Sequence, residues 1–148
     1  MSEQLTSHDP RLGAWRSFLL AHARVVRELE RELQDEQQLA LTDYDVLVQL
    51  AAAGERRLRM SELADRLLLS RSGATRLIDR LAAGGLVERV SCESDRRGQW
   101  ASLTDEGLQR LRGASPTHLR GVKTHFLDRL SPADLAELER MLGGVLEE

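Results

Sequence analysis

Apolar positions step by three and four residues from Leu12 through Trp15, Leu19, His22, Val26, Leu29 and Leu33. That period predicts one amphipathic helix from Leu12 to about Gln37. So narrow a stripe suits packing against another helix better than wrapping a broad core. Thr42-Asp43-Tyr44-Asp45 has the hydroxyl-then-carboxylate spacing of a capping box. It predicts a helix through Ala53, with Val46, Leu47 and Leu50 inward and Gly54 as its stop. Ser61 is the expected cap of a shorter helix in which Leu63, Ala64, Leu67 and Leu68 face the core. Ser70 is the expected cap of the next, which carries Ala74, Leu77, Ile78 and Leu81 on one face and Ser72, Thr75, Arg76 and Asp79 on the other.

After the Gly84-Gly85 stop come two short strands, LVERVSC and GQWASL, joined by the charged tip ESDRR. Leu58 is placed to add a third small strand beside them, and Trp100 reads as a packing residue of the returning strand. Thr104 then caps a helix that begins with Asp105 and Glu106, the sign the helix dipole favours. Leu108, Leu111, Leu119, Val122 and Phe126 recur along it, and Pro116 is expected to kink or divide it. Ser131-Pro132-Ala133-Asp134 opens a last helix striped by Leu135, Leu138, Leu142 and Val145. Three apolar-striped helices at the two ends of the chain exceed what the middle needs to cover itself, which predicts a homodimer. The fold class is mainly α with a small β-hairpin wing, a winged helix-turn-helix.

A helix presented this way fits the major groove of double-stranded DNA, where Ser, Thr and Arg read base edges and phosphates. The candidate contacts are Ser70, Arg71, Ser72, Thr75 and Arg76, with Asp79 expected to orient Arg76 three residues away. Ser70 and the free amides of the first turn are an alternative phosphate cradle. On the hairpin tip, Arg96 and Arg97 reach for the flanking backbone or minor groove. Asp95 there is read as positioning a neighbouring guanidinium. Arg56, Arg57 and Arg59 read as a solvated basic rim. The net charge of −3 conceals a polarity: residues 55–97 hold ten arginines against seven acids, a local +3, while the rest of the chain sums to −6.

The segment DRRGQWASLTDEG sharpens this reading. Asp95, Arg96 and Arg97, followed at fixed spacing by Leu103, Thr104, Asp105, Glu106 and Gly107, resemble the wing-to-helix signature of the MarR (multiple antibiotic resistance regulator) family. LADRLLLSRSGATRLIDRLAAGGLVER is similar to the same family's helix-turn-helix. The resemblance implies a single domain over 1–148, with dimerisation helices in 1–37 and 105–148 and a DNA-binding lobe in 38–104. It further implies a transcription regulator, more commonly a repressor, whose homodimer binds a pseudo-palindromic operator. Such proteins often answer to a small aromatic or phenolic acid held between the dimerisation helices and the lobe. Trp15, Arg16 and His22 are the candidate pocket residues, with a buried, locally satisfied histidine as the other reading of His22.

Other classes are disfavoured. With 41% hydrophobic but only 3% aromatic residues, Leu, Val and Ala do most of the packing. No run approaches the roughly 18 apolar residues of a membrane helix, and the N-terminus has no basic region followed by an apolar one, so a cytoplasmic protein is expected. Cys92 is the only cysteine, which precludes an intrachain disulfide and reads as a small apolar strand residue. His118 and His125, seven apart on one helix side, lack an evident third ligand, so no metal and no cofactor are expected. No phosphate loop or nucleophile motif suggests an enzyme. The competing class is a winged-helix module that binds protein instead of DNA.

Overall fold

The computed structural model describes residues 4–91 and 98–147. Residues 92–97, which hold the strand candidate Cys92 and the wing candidates Asp95, Arg96 and Arg97, lie outside the described residues. Helix α1 (Leu12–Gln37) spans the predicted stripe, and α2 (Leu41–Ala52) follows after a short turn. A 3-10 turn (Gly54–Arg56) leads into β1 (Arg57–Arg59), α3 (Met60–Arg66) and α4 (Arg71–Ala83). Strands β2 (Val87–Ser91) and β3 (Gln99–Leu103) form the hairpin, and α5 (Asp105–His125), a second 3-10 turn (Leu127–Arg129) and α6 (Pro132–Leu146) complete the chain. The sheet is antiparallel in the order β1-β3-β2, with Leu58 opposite Ala101 and Val87 opposite Leu103. The fold is therefore the expected winged helix-turn-helix, and Leu58 supplies the third strand.

One aliphatic core binds the middle of the chain together. Leu33 of α1, Val46, Leu47 and Leu50 of α2, Leu63 of α3 and Ile78 of α4 are fully buried, and Leu58, Val87, Ala101 and Leu103 close it from the sheet. Tyr44 is the one aromatic in this buried cluster. It donates to Ser115 Oγ at 3.3 Å and packs on the His118 ring, centroids 4.4 Å apart. Helix α5 lies against α1 along a polar seam. Gln37 donates to Thr117 Oγ1 at 3.0 Å, Thr117 donates to Glu36, and Arg120 pairs with Glu36 at 2.5 Å.

The helix starts differ from the expectation where tertiary partners intervene. Thr42 does not cap α2: the helix begins at Leu41, whose N–H donates to Glu30 Oε2 of α1 at 2.7 Å. Asp43 turns inward instead, because Arg80 of α4 grips it. Gly54 does not stop α2 but opens the 3-10 turn, where Glu55 and Arg56 take φ of 57° and 54°. Ser61 does not cap α3 either; the helix starts at Met60, because Arg59 is still paired with Trp100 in the sheet and the strand passes straight into the helix. Pro116 does not divide α5, which runs unbroken from Asp105 to His125. Ser70, Thr104 and Ser131 do cap α4, α5 and α6, accepting from Gly73, Gly107 and Asp134 N–H respectively.

Leu68 departs furthest. It was expected in the core but is 93% exposed, with φ of 55°. Leu69 N–H donates to Ala64 O at 2.9 Å and Leu68 N–H to Asp65 O at 3.2 Å, the bond pair of a Schellman motif with Leu68 in the left-handed position. That position favours glycine, since a left-handed residue with a Cβ is disfavoured by roughly 1–2 kcal/mol.

Leu68→Gly is accordingly expected to stabilise the chain by about 1 kcal/mol, after the added backbone entropy of glycine is subtracted; urea unfolding checks it, and a lower midpoint contradicts it. His118 generates a pH dependence. Burial holds its imidazole below the ordinary histidine range, so the folded chain binds fewer protons there than the unfolded one. Stability from this group is complete above about pH 6.5 and declines as pH falls below it. His118→Phe should flatten that part of the pH profile of unfolding free energy, and a profile parallel to wild type would rule the assignment out.

Candidate nucleic-acid interface

Helix α4 is amphipathic in the plainest sense. Ala74, Leu77, Ile78 and Leu81 are buried, so Arg71, Ser72, Arg76 and Asp79 are turned to the surface. Ser70 Oγ accepts from Gly73 N–H at 3.0 Å and lies 3.2 Å from Ser72 Oγ. Its hydroxyl is thus a helix cap first, and only two serine hydroxyls and the remaining amides of the turn face outward. Thr75 donates to the Arg71 carbonyl at 2.9 Å, which leaves its oxygen free to accept. The structure brings Ser70, Arg71, Ser72, Thr75 and Arg76 onto one exposed end of one helix.

Asp79 does not orient Arg76. It accepts from Arg89 Nη1 of β2 at 2.6 Å, and Arg89 also donates to Gln99 of β3. Asp79 therefore fastens the helix to the base of the hairpin. Arg71 and Arg76 form no ion pair among the described residues, so their guanidinium groups remain available to an outside anion. The back of α4 is held by a second carboxylate. Asp43, its side chain only 9% exposed, receives a bidentate fork from Arg80 at 2.6 and 2.7 Å. This pair raises the Arg80 pKa above its ordinary value, through the hydrogen bonds to Asp43.

The basic rim is less solvated than expected. The Arg57 and Arg59 guanidinium groups sit 4.6 and 5.1 Å from the Trp100 ring centroid, and Arg57 also pairs with Glu55 at 2.7 Å. Trp100 is thus a platform between two cations, worth about 0.5–1 kcal/mol per contact at exposed sites. Sequence reasoning gave Trp100 a packing role alone. Strand pairing of Arg59 with Trp100 was the missing signal, and only the register supplies it.

The second half of the signature, Leu103-Thr104-Asp105-Glu106-Gly107, has a structural reason. Thr104 Oγ1 accepts from Gly107 N–H at 2.9 Å and donates to the Gly85 and Leu86 carbonyls at 2.7 and 3.0 Å. A Cβ on Gly107 would lie 2.1 Å from the Leu86 carbonyl oxygen. One hydroxyl and one absent side chain therefore lock the returning strand, the start of α5 and the turn after α4 into one unit.

The candidate pocket residues are not gathered round a cavity. Trp15, Arg16 and His22 are all exposed on the N-terminal half of α1, where Trp15 and Phe18, then Phe18 and His22, follow one another with ring centroids 6.3 and 6.4 Å apart. His22 is thus not buried within its own chain. A cavity of about 520 Å³ instead lies further along, between Arg24, Val25 and Glu28 of α1 and His125, Phe126 and Arg129. His118 and His125 part company: one packs on Tyr44, the other lies against Glu32.

Comparison with known proteins agrees with this architecture. The model of the MarR family matches residues 37–98. The chain superposes with a TM-score of 0.86 on the MarR family transcriptional regulator AbsC from Streptomyces coelicolor, at 38% identity over 97% of this chain and 95% of that one. It superposes with a TM-score of 0.84 on Sco3205 of the same organism, a MarR family transcriptional regulator crystallised in complex with DNA, at 36% identity over 100% of this chain and 93% of that one. The HTH-type transcriptional regulator PrsX of Escherichia coli is 38% identical over 88 residues, 55% of this chain and 53% of its own. The chain spans about half the length of curated relatives it matches, PrsX and PapX of Escherichia coli among them.

The Thr104 lock makes a direct prediction. Gly107→Ala should lower stability by about 1–3 kcal/mol, because the new methyl meets backbone that cannot yield as a side chain would; thermal unfolding followed by circular dichroism measures it. An unchanged midpoint would show that α5 shifts freely against the hairpin.

Proposed function

The chain belongs to the MarR family of transcription regulators, and from that premise we propose that it binds a pseudo-palindromic operator in double-stranded DNA as a homodimer and represses transcription there. The observation that carries the reading is the outer face of α4, where Ser72, Thr75, Arg71 and Arg76 lie together and the two arginines have no ion-pair partner among the described residues. In this reading Arg76, Thr75 and Ser72 discriminate bases, while Ser70 and Arg71 engage phosphate. Arg96 and Arg97 grip the backbone alongside, with Asp95 positioning their guanidinium groups. The Asp79–Arg89 pair supports the arrangement by coupling the reading helix to that hairpin.

The uncovered helix faces support the dimer. Trp15, Phe18, Leu19 and Leu20 of α1 are exposed, and α6 has no buried residue, with Met141, Val145 and Leu146 open to solvent. A second copy laid over these faces buries them and places two α4 helices on one side, roughly 34 Å apart, in successive major grooves. The same contact encloses the exposed Trp15, Arg16 and His22. A small aromatic or phenolic acid held there lowers DNA affinity by its preference for a dimer with differently spaced reading helices. Residues 1–37 and 105–148 are the dimerisation part and 38–104 the reading lobe. A bound dimer represses by occupying the promoter surface that polymerase needs.

The test is a mobility-shift titration with the DNA immediately upstream of the protein's own gene, repeated at several salt concentrations. Binding should weaken steeply with salt, as phosphate neutralisation demands. Arg76→Ala should weaken it by about 1–3 kcal/mol, roughly 5- to 150-fold, while leaving the melting curve and the dimer unchanged. Wild-type affinity in Arg71→Ala/Arg76→Ala, or a monomer by sedimentation, would refute the reading and favour a protein-binding winged helix.

A further inference from the structure

Three metal-ligating side chains meet where α1 crosses the C-terminal end of α5. Glu28 and Glu32 are one helical turn apart on the same face of α1, and His125 is the last residue of α5. One ligand atom from each lies within 4.8 Å of the other two. His125 Nε2 is 2.5 Å from Glu32 Oε1. The other Glu32 oxygen, Oε2, is buried and has no hydrogen-bond partner among the described residues. A buried acceptor without a donor is uncommon, and an ion is one of the few things that satisfies it.

The surroundings are built for this group. A Cβ at Gly121 would stand 2.6 Å from Glu32 Oε2, so the glycine is what lets the carboxylate lie against α5. The His125 and Glu32 side chains are 19% and 18% exposed. Glu28, more open, lines with His125 the cavity that leads to solvent. Its carboxylate is held by Arg31 at 2.8 Å, in an exposed ion pair of the sort that contributes little and exchanges readily.

We propose that Glu28, Glu32 and His125 bind a divalent cation of the zinc class, which staples the dimerisation helix α1 to α5. One imidazole with two carboxylates is a borderline donor set suited to Zn²⁺, and too poor in oxygen for the six or more ligands Ca²⁺ takes. Around a tetrahedral Zn²⁺ with bonds near 2.1 Å, ligand atoms stand roughly 3.4 Å apart. That value lies between the 2.5 Å of the His125–Glu32 contact and the 4.8 Å limit on the separations. The closest pair opens, the widest closes, and the fourth position faces the cavity for water. Glu28 and His125 are exchangeable ligands of a metal whose third ligand, Glu32, is already stripped of other donors on one oxygen. Arg24 and Arg129 line the same cavity and oppose the cation, so affinity is moderate.

The experiment uses the full chain, freed of metal with a chelator that is then removed, and titrated with Zn²⁺ in competition with a chromophoric indicator. One Zn²⁺ per chain is expected, with a dissociation constant on the order of micromolar, and Co²⁺ at the same site should give visible d–d bands. His125→Ala should weaken binding by about 100-fold and Glu28→Gln by about 10-fold. His22→Ala and His118→Ala should leave it unchanged. Glu28 is exposed enough that Glu28→Gln keeps the fold, and metal-free melting curves verify this for both ligand variants. Absence of saturable binding overturns the proposal, as does stoichiometric binding that His125→Ala and Glu28→Gln leave intact.

Discussion

Burial of one face of α4 is the constraint on which the rest depends. Leu77, Ile78 and Leu81 enter the core beside Leu47, Leu50 and Leu63, Ala74 is buried on the same face, and a helix with that face inward has no freedom to hide its polar side. The hydrophobic gain, about 25 cal/mol per Å² of apolar surface removed from water, fixes the rotation of the helix about its axis. The Arg80–Asp43 fork then fixes the helix against α2, and Ser70 closes its first turn. What remains exposed at the N-terminal end is a set of hydroxyls and two guanidinium groups without an ion-pair partner among the described residues.

The hairpin is held to that helix and the turn after it by two polar ties, and to β1 by a third contact. Arg89 bridges Asp79 to Gln99, Thr104 pins the returning strand to the Gly85–Leu86 turn, and Trp100 stacks under Arg57 and Arg59. Each is modest alone. Together they make the reading helix and the base of the wing one body, and the close approach at Gly107 seats the start of α5 against it.

The ends of the chain follow a different logic. Leu29 and Leu33 bury the C-terminal half of the α1 stripe against the chain's own core, but Trp15, Leu19 and His22 are left uncovered. The stripe is continuous in sequence and divided in space, because α5 crosses only the latter half of α1. At that crossing lie Glu28, Glu32 and His125, beside the cavity, at the junction between the covered and uncovered halves.

Periodicity by itself determined the six helices, the hairpin and the inward faces of α2 and α4, since local spacing decides which side of a helix is apolar, and of the end signals Ser70, Thr104 and Ser131 do cap their helices. The signature from Asp95 to Gly107 likewise pointed to the family without any coordinates. Tertiary structure alone decided the partners: Asp79 serves Arg89 instead of Arg76, Asp43 turns inward to Arg80, and Glu30, not the Thr42–Asp45 box, caps a helix eleven residues downstream. It also exposed Leu68, because a left-handed turn after α3 throws that residue outward. His125 shows the reason most clearly. Its ligating neighbours lie about ninety residues earlier in the chain, and no local spacing reports which distant helix a side chain will meet.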